Sequence, residues 1–152
     1  MSIEVLRATK EWQRAGAYHV RIEGMNRQHH ISLNEEFDEH DGENTRYIVL
    51  TDDGYPIATC RFYEEEPSSG QSTPSMVLGR VVVLPEYRGK GLGKKVVKEA
   101  EKWIAELGYD RIAIDSRLNA VSFYEKLGYL VIDPHEVMRG GFACIPMEKR
   151  TD

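Results

Sequence analysis

A chain of 152 residues with 41% apolar and 30% charged side chains has the size and composition of one globular domain, 1–152, with a real core, which excludes a disordered reading. Its formal net charge of −5 and pI of about 5.6 argue against general nucleic-acid binding, so no nucleic-acid partner is expected. No apolar run reaches membrane-spanning length, the N-terminal MSIEVLRATKEW lacks the apolar centre of a signal peptide, and Cys60 and Cys144 match no metal spacing, so buried free thiols in a reducing cytoplasm, away from the membrane, are expected.

In chain order, Ser2 to Leu6 reads as a first strand. A helical region follows over Thr9 to Met25, with Thr9 as N-cap and Trp12, Ala15, His19 and Ile22 spaced along one side. Gln28 to Asn44 breaks the periodicity and gathers His29, His30, Glu35, Glu36, Asp38, Glu39, His40 and Asp41. No ligand spacing repeats there, which favours a solvated acidic loop over a metal site, and no metal is expected. Tyr47 to Thr51 and Pro56 to Tyr63 flank Asp52-Asp53-Gly54 and predict a hairpin. Glu64 to Pro74 is a polar, proline- and glycine-containing loop.

The chain is organised around Met76 to Leu107. The β-branched run Val81-Val82-Val83-Leu84 ends at Pro85, which withholds a backbone donor. Leu92, Val96, Val97, Ala100, Trp103, Ile104 and Leu107 then recur at helical spacing, and Gly108 stands where a left-handed stop is easiest to place. Between them, the glycines at 89, 91 and 93 remove the β-carbons that would keep a bulky anion from the unpaired N–H groups of the helix start. From Pro85 to Lys98 five basic residues stand against one acidic residue, a local excess of four on an acidic chain. A phosphate or pyrophosphate ligand is expected here.

A Walker A loop fails twice, because Arg88 occupies the place of its first glycine and Lys95 that of its hydroxyl. A GxGxxG dinucleotide loop fails once, because Lys94 replaces the third glycine. The pattern that fits is Arg-x-x-Gly-x-Gly at Arg88, Gly91 and Gly93. The bland alternative is a strand–helix turn with a basic, solvated first helical turn.

A second stretch lies downstream. Arg111 to Asp115 reads as a short strand, and Asn119-Ala120-Val121-Ser122-Phe123-Tyr124-Glu125-Lys126-Leu127-Gly128-Tyr129 follows, with Asn119 as a good N-cap and Gly128 as a helix stop. After Tyr129 a strand reaches Ile132, Glu136 to Gly141 form a loop, and Phe142 to Met147 form a final strand.

Together the two stretches resemble the GNAT family, the GCN5-related N-acetyltransferases. The regions Glu36-Phe37-Asp38 and Gly141 to Met147 further resemble a bacterial branch related to the ElaA and YjcF acetyltransferases. The order β-α-β-β-β-α-β-α-β is that of an α/β domain, and the resemblance implies a mixed, splayed β-sheet flanked by helices on both faces. It also implies acetyl-CoA as co-substrate, lying in the splay. Val81 and Val83 would offer backbone groups to its pantetheine. Arg88, Gly89, Gly91, Leu92, Gly93 and Lys94 would surround the pyrophosphate, and Asn119 and Phe123 would lie along the pantetheine arm.

The activity so implied is direct acetyl transfer to an amine acceptor, on a small molecule, peptide or protein. Tyr124 stands where the family's general acid commonly stands; its plainer role is that of a packed helix tyrosine. The core strand carries no glutamate to act as base. Glu36, Asp38, Glu64 and His135 are alternatives among which the sequence does not choose. A non-catalytic acyl-CoA-binding module is the second reading, and the oligomeric state, a homodimer included, stays open.

Overall fold

The computed structural model describes residues 1–151. Eight strands form one sheet in the order β1-β2-β3-β4-β5-β8-β6, with β7 pairing the same edge of β8 as β6, opposite β5. They are β1 (Ile3–Arg7), β2 (Arg46–Asp52), β3 (Tyr55–Glu65), β4 (Ser75–Val83), β5 (Arg111–Arg117), β6 (Leu130–Val131), β7 (Val137–Arg139) and β8 (Phe142–Arg150). The helices are α1 (Glu11–Arg21), the short α2 (Arg27–His29) and α3 (Leu33–Glu36), the long α4 (Leu92–Glu106) and α5 (Val121–Lys126). The family-implied α/β architecture, a mixed sheet flanked by helices, is the one observed.

Alternation along the central strands explains why both faces are covered. On β2, Ile48 and Leu50 join the core that contains Val96, Val97, Ala100 and Ile104 of α4, while Tyr47 and Val49 join Ala17 of α1. A strand buried on both faces needs a helix on each.

All pairings are antiparallel except β4 with β5, which is parallel and limited to Met76↔Ile112 and Val77↔Ala113. Beyond those two rungs the strands run on to Val83 and Arg117 unpaired with each other. This is the splay. In the same stretch of β4 the register against β3 passes from Thr59↔Val82 to Arg61↔Gly79, so β4 carries one extra residue, a β-bulge. Arg80 sits in it with φ +51°, a left-handed conformation that is strained for an arginine.

Several expectations are corrected. The first helix is capped at Lys10, and Gln13, not Thr9, does the capping work: its side chain accepts from the Thr9 and Lys10 N–H groups at 2.8 and 2.9 Å. The buried stripe is Gln13, Ala17 and Val20, whereas Trp12 is 59% exposed. Past Arg21 the chain widens into a π-helical turn over Ile22–Asn26, whose Gly24 packs so closely that a β-carbon would lie 2.6 Å from Val82 Cγ1. Asn119 is not a helix cap: it lies in a 3-10 turn, Leu118–Ala120, and Ala120 occupies the cap position. The expected loop over Glu136 to Gly141 is largely β7 and its turn onto β8, and the strand after Tyr129 shrinks to Leu130–Val131. Gly108 and Gly128 do stop α4 and α5, with φ +92° and +98°.

Candidate active site

The glycine loop enters α4 through Gly91, which is the N-cap at φ +78° and ψ +14°, with Gly89 at φ +80°. The first intrahelical bond runs from Lys95 N–H to Gly91 O, which leaves the N–H groups of Leu92, Gly93 and Lys94 without helical acceptors. No atom lies within 4 Å of where a β-carbon would stand on Gly89 or Gly91, so the loop is an open cradle. At Gly93 a β-carbon would stand 3.6 Å from the Phe123 ring and 3.8 Å from Val83 Cγ2, which brings three of the predicted cofactor residues together. Lys94 is exposed beside them.

Arg88 is committed elsewhere. Its Nε donates to Val83 O at 3.0 Å and its Nη2 to Gly24 O at 2.9 Å. The guanidinium therefore ties the strand end to the turn after α1, and a ligand at the loop meets helix N–H groups before it meets that charge.

From this cradle the splay leads to a cavity of about 240 Å³. Gly79, Arg80 and Val81 of β4 form one wall, and Ile114 to Arg117 of β5 the other. Asn119 and Tyr124 border it from the α5 side, Glu35 and Glu36 from α3, and Arg139, Phe142 and Cys144 from the β7–β8 hairpin. Tyr124 is buried, with its ring edge-on to Phe123 at 5.0 Å and to Tyr129 at 5.7 Å. Its hydroxyl has no hydrogen-bond partner among the described residues. Tyr47, Tyr87, Tyr109 and Tyr129, by contrast, donate to Asp41, Asp52, Glu64 and Glu101. Burial, and then the proximity of Cys60, push the Tyr124 phenol well above its usual range, so it keeps its proton at neutral pH.

The acidic stretch is not a solvated loop. Arg21, whose side chain is 0% exposed, donates to Glu36 Oε2 at 2.9 Å and to Asp41 Oδ1 at 2.8 Å. Arg80 donates to the same Glu36 oxygen at 2.9 Å. Arg61 reaches Asp38 at 3.1 Å and Asp41 at 2.9 Å. Three arginines from α1, β3 and β4 thus neutralise three carboxylates and pin α3 and the loop behind it against the sheet. The strained Arg80 backbone is held by these contacts.

Burial alone would raise the Asp41 carboxyl, but hydrogen bonds from Arg21 and Tyr47 overcome it and hold the group well below its usual range. Asp38 is lowered in the same way, burial being outweighed by Arg61. A carboxyl whose native pKa lies below its unfolded value stabilises the fold above the unfolded pKa and loses that contribution as pH falls. The urea midpoint is therefore expected to hold near neutral pH and to fall below about pH 4, the ordinary carboxylate range. Asp41→Asn should be less stable at pH 7 and show a shallower acid decline.

None of the four alternatives for a base presents a free group to the cavity. Glu36 borders it with Oε2 bonded to two guanidiniums. Asp38 is bound by Arg61 and Arg80, Glu64 accepts from Tyr109 at 2.5 Å, and His135 is exposed and paired with Asp133. Cys60 and Cys144 are buried free thiols, as expected. Among the described residues no cluster of His, Cys, Asp and Glu could hold a metal, and no helix is long and apolar enough to cross a membrane.

A mixed sheet that parts beside a glycine-capped helix, with a tyrosine in the cleft, is an acyltransferase fold. The chain belongs to the Acetyltransferase (GNAT) family, whose model matches residues 6–129. It is 30% identical over 142 residues to the uncharacterised N-acetyltransferase YjcF of Bacillus subtilis, covering 93% of this chain and 96% of that one. A crystal structure of a Lactobacillus plantarum protein described as an N-acetyltransferase superposes with a TM-score of 0.84 at 30% identity, over 99% of each chain. Escherichia coli YhbS, solved in complex with CoA, shares the fold at 18% identity and a TM-score of 0.76, over 100% of this chain and 83% of that one.

Proposed function

We propose that this chain, as a single catalytic unit over 1–152, transfers the acetyl group of acetyl-CoA directly to an amine. The observation that carries the reading is the continuity of one path: the open N–H cradle at Gly89–Lys94 leads along the unpaired edge of β4 to the cavity where the Tyr124 hydroxyl is without a partner. Family membership and the CoA complex of YhbS support it.

The residues fit the co-substrate at three points. The helix N–H groups and Lys94 suit a pyrophosphate. The free edge of β4 near Val81 and Val83 suits an amide-bearing arm, because that edge has no strand partner beyond Val77. Phe123 and Asn119 line the α5 side of the same path.

Acetyl-CoA supplies the acyl group as a thioester. The amine must arrive neutral, since an ammonium has no lone pair to form the new C–N bond. As the C–S bond breaks, the Tyr124 phenol donates its proton, or a hydrogen bond, to the departing sulfur. Glu36 and Asp115 of the cavity are engaged by arginines, and no side chain is assigned as base, so the amine proton leaves through water at the open mouth of the cleft.

Calorimetric titration with acetyl-CoA, with ATP and NADH as controls, is expected to give saturable binding of acetyl-CoA alone. Gly91→Val places a β-branched residue at φ +78°, and at least a tenfold rise in the dissociation constant, about 1.4 kcal/mol, is expected. An unchanged constant would remove the pyrophosphate from this loop.

A further inference from the structure

We propose that the amine acceptor also carries a carboxylate, and that Arg117 is the residue that binds it; this rests on the transferase reading above. Three arginines border the cavity, Arg80, Arg117 and Arg139. Arg80 is matched by Glu36 and Asp38, and Arg139 by Asp115 at 2.8 Å. Arg117, the last residue of β5, forms no ion pair among the described residues, although it is half-buried in the diverging part of the sheet.

One N–H of Nη1 is engaged, and Nε and Nη2 have no acceptor among the described residues. The guanidinium carbon lies 4.1 Å from the centroid of the Phe142 ring, and Nη1 donates to Met25 Sδ at 3.9 Å. Stacking on an aromatic face uses the plane of the guanidinium and fixes its orientation, while the N–H groups in that plane remain available. A planar fork held in this way matches a carboxylate, which it binds through two parallel charge-assisted hydrogen bonds.

The rest of the cavity's charge agrees with a zwitterionic occupant. Of its three acids, Glu36 and Asp115 are matched by arginines, while Glu35 accepts only from Ser32. The cavity therefore presents one unmatched cation and one unmatched anion, and a small molecule bearing both amine and carboxylate complements both. A polyamine would satisfy Glu35 and be repelled by Arg117.

The test follows release of the CoA thiol at fixed acetyl-CoA with amines paired so that only the carboxylate differs: phenylalanine with phenethylamine, methionine with 3-(methylthio)propylamine, lysine with cadaverine. The carboxylate member of at least one pair is expected to have a kcat/KM at least tenfold higher. In Arg117→Met that preference should fall to within twofold of unity, through KM for the acceptor, while calorimetric affinity for acetyl-CoA matches the wild type; Arg117→Lys should keep part of it. Equal turnover within every pair by the wild-type protein would overturn the role of Arg117 and leave the transferase standing. Turnover of neither member of any pair would overturn both readings. A preference that survives unchanged in Arg117→Met would show that the carboxylate is bound elsewhere and overturn the assignment.

Discussion

Tyr124→Phe is expected to lower kcat for acetyl transfer by about 10²- to 10⁴-fold, the usual worth of a positioned proton donor, and to leave the dissociation constant for acetyl-CoA within about twofold. The substitution removes one oxygen and keeps the ring, so the edge-on contacts with Phe123 and Tyr129 persist. Buried tyrosine hydroxyls nearly always find a partner, and four other tyrosines of this chain pair theirs with carboxylates. The Tyr124 hydroxyl has no partner among the described residues, and the residue borders the cavity between β4 and β5, which leaves that hydroxyl for a ligand. Steady-state kinetics with a reactive amine, alongside calorimetry, separates the roles. Unchanged kcat would make Tyr124 a packing residue. Binding of acetyl-CoA with no transfer to any amine, even by the wild-type protein, would return the chain to the non-catalytic acyl-CoA-binding module.

Glu36→Ala is expected to cost about 3 kcal/mol of stability, the lower end of the range for breaking a buried ion pair. One oxygen of Glu36 receives both Arg21 and Arg80 at 2.9 Å, and its removal leaves Arg21 in a fully buried site with Asp41 as its remaining carboxylate. Arg80 loses the contact that helps hold its left-handed backbone, so the β4 bulge should relax as well. Urea denaturation of Glu36→Ala and Glu36→Gln would check this. Gln keeps a hydrogen-bond acceptor and should lose less. A loss below about 1 kcal/mol for Ala, the size of an exposed pair, would mean that the network does not hold this region.

How far the sequence reveals such features depends on how local they are. Most of the residues that the resemblance assigns to the cofactor lie in two contiguous stretches, Pro85 to Lys98 and Asn119 to Tyr129, whose glycines and apolar spacing carry their geometry with them. Gly91, Gly108 and Gly128 adopt the left-handed conformations that their positions suggest. The acidic stretch read as solvated because its counter-charges, Arg21, Arg61 and Arg80, are contributed by three separate elements, which no linear pattern shows. The α1 stripe departs from its apolar spacing for a related reason: Gln13 is polar yet buried because it caps its own helix, and Trp12 is large yet exposed. Arg88 carries a motif position but spends its guanidinium on backbone carbonyls, one of them on the turn after α1. The cavity draws on β4, β5, α3 and the β7–β8 hairpin, and only the folded chain brings Arg117 and Phe142 together.

The two rungs at Met76–Ile112 and Val77–Ala113 also make the sheet mechanically composite. One plate, β1 to β4, bears the glycine cradle at its end; the other, β5 to β8, bears Tyr124 on the segment that follows β5. The residues proposed to anchor phosphate and to donate a proton therefore belong to different plates that share a short seam. A co-substrate bound as proposed would reach from one to the other as a brace, and some of its binding energy would go into stiffening the angle on which the alignment of the reacting groups depends.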